Sequence, residues 1–491
     1  MMKKTFAILT ILFICGWTNV KAGGDWAGSG TLVAPWQIIS AADLATLATN
    51  VNTGTAYLGE YFKLMNDIDL SGYPNWDPIG KNAGSFFHGF FDGNNKKITG
   101  LTITGTTGYF GLFGYILSNC EIKNLTIENC AITATTEHVG ALVGYVVHDD
   151  PLAAIRITNC HSSGSVEGNK YVGGLIGLID VYTGTDGTDP DNNVFITSCS
   201  SSAVVSGIEV DCYIGGLIGF VGRMNETPLV SIGNCCATGN VSTNNKDGVT
   251  AGGLIGFCIY GSVTNCYAKG TVSATGTNSV AGGFMGVNSD SNIEKCFSTG
   301  AVNGSATNVL GFLGYLENSG INTSCYWNTE TSGKATSAGG TGIVGKNTAE
   351  MKTQTTFDGW DFVTGPIWHI NATDNDGYPH LAWQTFASAV PTITSFTPTT
   401  SGAGTVISIT GTNFLNATDV SFGGTAAASF TVDDANTISA MVAGGTTGTV
   451  TVTTPGGTAT SVGTFTFKPA FLTNLINTVA SSLGGSTTDF N

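Results

Sequence analysis

One short phrase recurs through the middle of the chain: YFGLFG at 109, VGALVG at 139, VGGLIG at 172, IGGLIG at 214, AGGLIG at 251, AGGFMG at 281 and VLGFLG at 309. Measured at the residue before the central Leu or Phe, the copies lie 30, 33, 42, 37, 30 and 28 residues apart. That is a solenoid period with insertions, in which a repeat too small to bury its own apolar face buries it against its neighbours. Composition agrees: with 69 Gly and 11 % charged residues the chain is too apolar for disorder and too glycine-rich for helices.

A second phrase follows five of the copies: NCHSSGSV at 159, SCSSSAVV at 198, NCCATGNV at 234, NCYAKGTV at 265 and KCFSTGAV at 295. Small or apolar residues alternate by two within it, as at Cys266, Ala268, Gly270 and Val272, which is the pattern of a strand with one crowded face. Val263 and Ile157, three residues before their cysteines, fall out of that alternation, so the chain must bend between them. Asn159, Asn234 and Asn265 stand at the bend, and asparagine tolerates left-handed backbone angles. The pattern predicts three short strands per repeat, wound once around and stacked by parallel pairing at about 4.8 Å. Glycines in the opening phrase let backbones approach where a side chain would not fit.

Cys130, Cys160, Cys199, Cys235, Cys266, Cys296 and Cys325 read as one place per coil, an inward column of small apolar side chains. The competing reading is a disulfide framework. Parallel in-register neighbours aim their Cβ atoms side by side rather than at each other, which favours free buried thiols. No CxxC pair or Cys/His cluster suggests a metal site.

The ends of a solenoid need covering. SAADLATLATNV at 40–51 starts with a capping Ser40 and sets Leu44, Leu47 and Val51 on one helical face, suited to a lid over the first coil. GWDF at 359, IWHI at 367 and GYPHLAW at 377 cluster aromatics that are expected to plug the last coil. After Gln384 apolar and polar residues alternate with turn signals every 8 to 12 residues, the pattern of a β-sandwich over 391–467, followed by a tail at 468–491. At the other end, Lys3 and Lys4 precede an apolar run from Phe6 to Trp17, and residues 1–22 read as an export signal. Ile14 stands where a lipoprotein site built on Cys15 would need a small residue. No other stretch has the length of a membrane span. Loss of 1–22 would take three of the 18 basic residues and no acid, leaving 15 against 34, so nucleic acid is excluded as a partner.

The GGLIG and NCYxxGxV phrases resemble the GLUG repeats of bacterial surface proteins over roughly 109–330, and FHGFFDGNNKKITGLTI at 87–103 is similar to the coil that often precedes them. PTITSFTPTTSGAGTVISITGTNF and VSFGG, within 391–467, resemble an IPT/TIG domain. The resemblance implies an all-β chain: a right-handed parallel β-solenoid with caps over 24–385, then an immunoglobulin-like sandwich, in a secreted or cell-surface setting that is often adhesive. Ser198, Lys295 and Ser324 replace the bend asparagine, so any asparagine ladder is broken.

Chemistry must lie outside the repeated phrase, since no copy carries the Lys and Ser/Thr of a phosphate loop. From the last Gly of the opening phrase to its cysteine the distance is 16, 22 and 16 residues in three successive coils, against 10, 10 and 11 in the next three. The three enlarged loops contain His148, Asp149 and Asp150, then Asp180, Tyr182, Asp186, Asp189 and Asp191, then Arg223, Asn225 and Glu226. Long loops in a compact repeat are more often functional than neutral. These residues are the candidate contact for an extracellular glycan or surface protein in a non-enzymatic adhesin. No cofactor is required, and Ca²⁺ is the one cation that TDGTDPDNN at 185–193 suggests, without EF-hand spacing. The alternative is a polysaccharide lyase or glycoside hydrolase, if the acids and Arg223 converge in a groove. No Ser/His/Asp arrangement can be assembled from proximity in sequence. The outward column His161, Ser200, Cys236, Tyr267, Phe297 and Tyr326 is too irregular for an ice-binding array.

Overall fold

The computed structural model describes residues 26–469, except 151–152, 182–193, 223–229, 364, 387–389, 415–416 and 455. The export signal expected at 1–22 and nearly all of the C-terminal tail lie outside the described residues. The chain divides into two compact units, 1–369 with 381–383, and 370–380 with 384–491.

The first unit is a parallel β-solenoid. One coil runs Thr250–Gly252, Ile255–Ile259, Gly261–Thr264, Tyr267–Ala268 and Val272–Ser273. Each segment pairs in parallel with its counterpart in the next coil, giving two seven-stranded sheets and one of 22 strands. The central residue of the opening phrase points inward in every copy: Leu112, Leu142, Leu175, Leu217, Leu254, Phe284 and Phe312 are at most 1 % exposed.

At the bend, Asn159, Asn234 and Asn265 take φ of 52°, 55° and 53°, and Ser198, Lys295 and Ser324 do the same at 55°, 53° and 52°. The backbone ladder holds them there: Asn265 N–H donates to Glu294 O at 3.1 Å and Lys295 N–H to Thr323 O at 3.0 Å. A left-handed non-glycine residue costs roughly 1–2 kcal/mol, which the stacked hydrogen bonds offset. An asparagine side-chain ladder exists only where asparagines adjoin, with Asn159 Nδ2 donating to Asn124 Oδ1 at 3.0 Å.

Six of the seven expected cysteines form the inward column. The Sγ of Cys199, Cys235, Cys266, Cys296 and Cys325 each donates to the carbonyl two residues back, at 3.2–3.3 Å, and Cys160 does so at 3.4 Å. Cys130 is the exception. Leu125 pairs with Cys160, while Cys130 pairs with Gly164 farther along the strand, because two asparagine bends, Asn124 and Asn129, occur five residues apart in this coil. All eleven described cysteines are buried and unbonded, and burial pushes the Cys160, Cys235 and Cys296 thiols well above their usual range. A thiol reagent is therefore expected to label essentially none of them in the native chain and all eleven after unfolding. A shortfall after unfolding would reveal a disulfide.

A helix over Ala41–Asn52 covers the first coil. Ser40 and Asp43 form a reciprocal capping box, and Leu44, Leu47, Ala48 and Val51 face the core. At the other end the expected aromatic plug is not what closes the last coil. Trp327 does so with the segment after it: its indole donates to Lys334 O at 3.0 Å, and Ile343–Lys346 adds a final parallel strand. The later aromatics instead run back along the outside of the solenoid as a strap. Trp360 Nε1 donates to Ser324 O at 3.1 Å, Trp368 Nε1 to Asn265 Oδ1 at 3.3 Å and Trp383 Nε1 to Asn234 O at 2.9 Å. Each indole thus satisfies an acceptor at a bend. The strap rings pack on the outward column, where Cys236, Tyr267, Phe297 and Tyr326 are at most 7 % exposed, which accounts for that column's irregular composition.

The second unit contains a β-sandwich. Thr392–Thr397, Val406–Thr412, Thr437–Met441 and Ser429–Asp434 make one sheet. Thr400–Ser401, Gly457–Phe467, Gly448–Thr454, Asp419–Phe422 and Thr425–Ala426 make the other. Ile407, Ile409, Val450, Val452 and Phe465 form its own core. Among the described residues no helix is long and apolar enough to cross a membrane.

Candidate functional site

The two residues flanking the opening phrase face outward on the two seven-stranded sheets, and the tight glycine corner between these sheets brings them together. On one side Tyr109, His138, Tyr171 and Tyr213 stand in register. On the other stand Tyr115, Tyr145, Leu178, Phe220 and Phe257. The columns interleave: ring centroids lie 5.4 Å apart for Tyr109 and Tyr115, 4.7 Å for His138 and Tyr145, 5.3 Å for Tyr171 and Phe220, and 5.6 Å for Tyr213 and Phe257. Phe86 extends the series from Tyr115 at 6.1 Å, and His88 lies 6.2 Å from Phe86. Tyr109, His138, Tyr145, Tyr171, Tyr213, Phe220 and Phe257 are only partly buried. The result is a solvent-facing aromatic stripe across five coils.

Polar groups edge the stripe. Tyr145 donates its hydroxyl to Asp180 Oδ2 at 2.8 Å, and burial, followed by that carboxylate, pushes its pKa up. Tyr115 is pushed up to about 12, first by burial and then by Tyr109, Asp149 and Asp180. Burial, with Lys170 nearby, pushes His138 down to about 4, so at neutral pH its ring is uncharged and serves as one more aromatic. The Lys170 ammonium lies 5.2 Å from the Tyr171 ring centre and 3.6 Å from Glu137.

Of the loop residues singled out in the sequence, Asp149 and Asp150 are exposed beside this stripe. Both backbone N–H groups donate to Ser118 Oγ, at 2.8 and 3.0 Å. Burial lowers the pKa of the nearby His88, and the two carboxylates partly oppose that shift. His148 corrects the expectation of a ligand contact: it is fully buried, with Nε2 2.9 Å from Ala153 O, because it is the inward-facing last residue of Val143–His148. Tyr182, Asp186, Asp189, Asp191, Arg223 and Glu226 lie outside the described residues. The strand ends before two of the enlarged loops stack in register, Val147 on Asp180 and His148 on Val181.

Sequence proximity offers no nucleophile–base pair, yet stacking brings one together. Ser200 Oγ lies 2.9 Å from His161 Nδ1, and His161 Nε2 lies 3.0 Å from Asn159 Oδ1. That is the order of nucleophile, base and orienting group. Trp383 stacks on the imidazole at 5.2 Å and 24°, so the three residues belong to the footprint of the strap. Among the described residues no group of three or more His, Cys, Asp or Glu converges as a metal site.

The profile of the GLUG motif matches residues 247–273, the coil described above, and that of the IPT/TIG domain matches 391–468. The chain carries a GLUG motif and an IPT/TIG domain. A protein of Evansella cellulosilytica named as a Gly-rich membrane protein is 33 % identical over 441 residues, covering 74 % of this chain and 46 % of that protein. Halomucin of Haloquadratum walsbyi is 31 % identical over 169 residues, 32 % of this chain and 2 % of its own. The chain thus spans less than half the length of these curated relatives. A crystal structure from Bacteroides ovatus, named as an immunoglobulin A1 protease, superposes with a TM-score of 0.52 at 21 % identity, covering 73 % of this chain and 95 % of that one. At that identity the likeness is one of fold.

The repeated phrase is scaffold, and the stripe is built from the letters at its edges: Tyr109, which opens the first copy, then His, Tyr, Tyr, Thr, Val and Asn before the others, and Tyr, Tyr, Leu, Phe, Phe, Val and Tyr after the seven. Their aromatic character in the first four copies, with Leu178 the one aliphatic exception, is the signal in the sequence.

Proposed function

We propose that this chain is a cell-surface binding protein whose aromatic stripe, continued by the Asp149–Asp150 loop, holds a glycan. The observation that carries this reading is the stripe's length and openness: aromatic faces across five coils, edged by Tyr hydroxyls, Asp180 and Lys170. Sugar rings stack their C–H faces on aromatics and bond their hydroxyls to neighbouring polar groups. The surface setting is supported by relatives named as a Gly-rich membrane protein and a halomucin. The IPT/TIG sandwich serves as a spacer or second contact.

Tyr171 and Tyr213 stack at 5.6 Å and 12° near the middle of the stripe. At about 0.5–1.5 kcal/mol per aromatic contact, replacing both by Ala is expected to weaken glycan binding by about tenfold or more. Because the rings are part-exposed, the melting temperature should change little. Sedimentation of the full chain with a panel of insoluble and immobilised polysaccharides reads the first quantity and a thermal melt the second. Undiminished binding by the double variant overturns the stripe as the contact, and release of new reducing or unsaturated ends from any polysaccharide overturns the non-enzymatic reading.

A further inference from the structure

A trough of about 400 Å³ crosses the outer face of the 22-stranded sheet at its first strands, Trp36–Ile38, Tyr61–Leu64, Phe90–Thr99 and Glu121–Ala134. Outward positions on a strand are two residues apart, so the strands contribute to two parallel rows. In the first row Tyr61 and Phe90 stack at 4.5 Å and 14°. In the second, Gln37, Lys63, Asp92 and Lys123 stand in register. Asp92 sits between the two lysines, and Glu121 pairs with Lys123 at 3.1 Å, so two cations and two anions leave the trough without net charge. Its end at the first coil is lined by Leu32 and Val33, in the turn closed by the Thr31–Ala34 bridge, and these side chains are 69 % and 93 % exposed.

Bare aliphatic tips beside an aromatic wall mark a contact surface. At about 400 Å³ the trough is the size of a small-molecule site. We propose that it is a second binding site, separate from the aromatic stripe, and that it takes an uncharged sugar of one to three units. A pyranose offers apolar C–H faces, which Tyr61, Phe90, Leu32 and Val33 cover. Its rim carries hydroxyls that both donate and accept, which Gln37, Lys63 and Asp92 can meet from one side. Balanced charge in the row gives an anionic or cationic ligand no electrostatic advantage over a neutral one. The short form suits a small oligosaccharide, where the stripe suits a long chain.

The test is calorimetric titration of the full chain with maltotriose, cellotriose and mannotriose, and with trigalacturonate as the charged counterpart. At least one neutral trisaccharide is expected to bind saturably, with trigalacturonate binding no more tightly than it. Tyr61→Ala, Lys63→Met and Val33→Ser should each weaken that binding, the first two by about tenfold, with melting unchanged for the exposed Val33 and the outward Lys63. The Tyr171→Ala/Tyr213→Ala variant should leave it unaltered, which separates this site from the stripe whichever of the two readings fails. Absence of binding by all three neutral sugars, preference for the charged one, or indifference to both Lys63→Met and Val33→Ser overturns the proposal.

Discussion

Gly252→Val is expected to unfold the solenoid at temperatures where the native chain is intact. Gly252 has an ordinary negative-φ backbone, so the penalty is steric rather than conformational. A Cβ there would fall on the carbonyl oxygen of Ile255 and within 2.8 Å of Gly286 N in the next coil. The same place in other coils, Gly140, Gly173, Gly215 and Gly282, meets the carbonyl three residues ahead in the same way. Backbone on both sides cannot retreat as a side-chain tip can. Overpacking a tight core costs about 1–3 kcal/mol; here the cost should exceed that, because relief requires parting two coils, and a stacked array loses cooperativity when one interface is broken. Gly72→Ala is the control: nothing lies within 4 Å of its Cβ, and its stability should be unaltered. Circular dichroism melts of the two variants decide the matter, and a Gly252→Val melt that overlays the parent would falsify the packing account. The sandwich, with a core of its own around Ile407, Val452 and Phe465, should retain its transition.

That glycine was legible in the sequence for the reason that makes it sensitive. Parallel in-register stacking puts equivalent residues on top of one another, so a position that tolerates one residue type in one coil tolerates the same in the next, and the phrase repeats. The left-handed bends were legible as Asn159, Asn234 and Asn265. Ser198, Lys295 and Ser324 adopt the same angles because the flanking coils impose them through the backbone ladder. Cys130 misled because Asn129–Cys130 imitates the bend phrase, whereas eleven residues separate Gly114 from Leu125, the spacing of the short coils. The stripe was harder to see because it depends on two flanks of one phrase meeting across a corner, a relation that no single strand reveals. Least legible was the strap: Trp368 and Asn265 lie 103 residues apart, and nothing local pairs them.

The strap yields the second large effect. Trp368 is fully buried, its ring 4.5 Å from Trp360, 5.9 Å from Phe297 and 6.3 Å from Tyr267. Trp368→Ala should cost about 3–5 kcal/mol, the range for emptying a large aromatic site. Trp368→Phe keeps most of the ring contact and loses the indole bond to Asn265, so it should cost about 1 kcal/mol. Because the strap packs on the outside of coils that have their own core, the Ala variant should first release the strap and only later melt the solenoid. Limited proteolysis should accordingly cut between 352 and 369 while the parallel-sheet signal persists. Equal protease resistance of the Ala variant and the parent would show that the strap does not depend on this anchor. The outcome also bears on where binding resides. The outward column under the strap is at most 7 % exposed from Cys236 to Tyr326, whereas Tyr171, Tyr213 and Phe257 of the stripe remain part-exposed. Releasing the strap should therefore uncover a new apolar surface and promote self-association, while glycan binding by the untouched stripe stays the same.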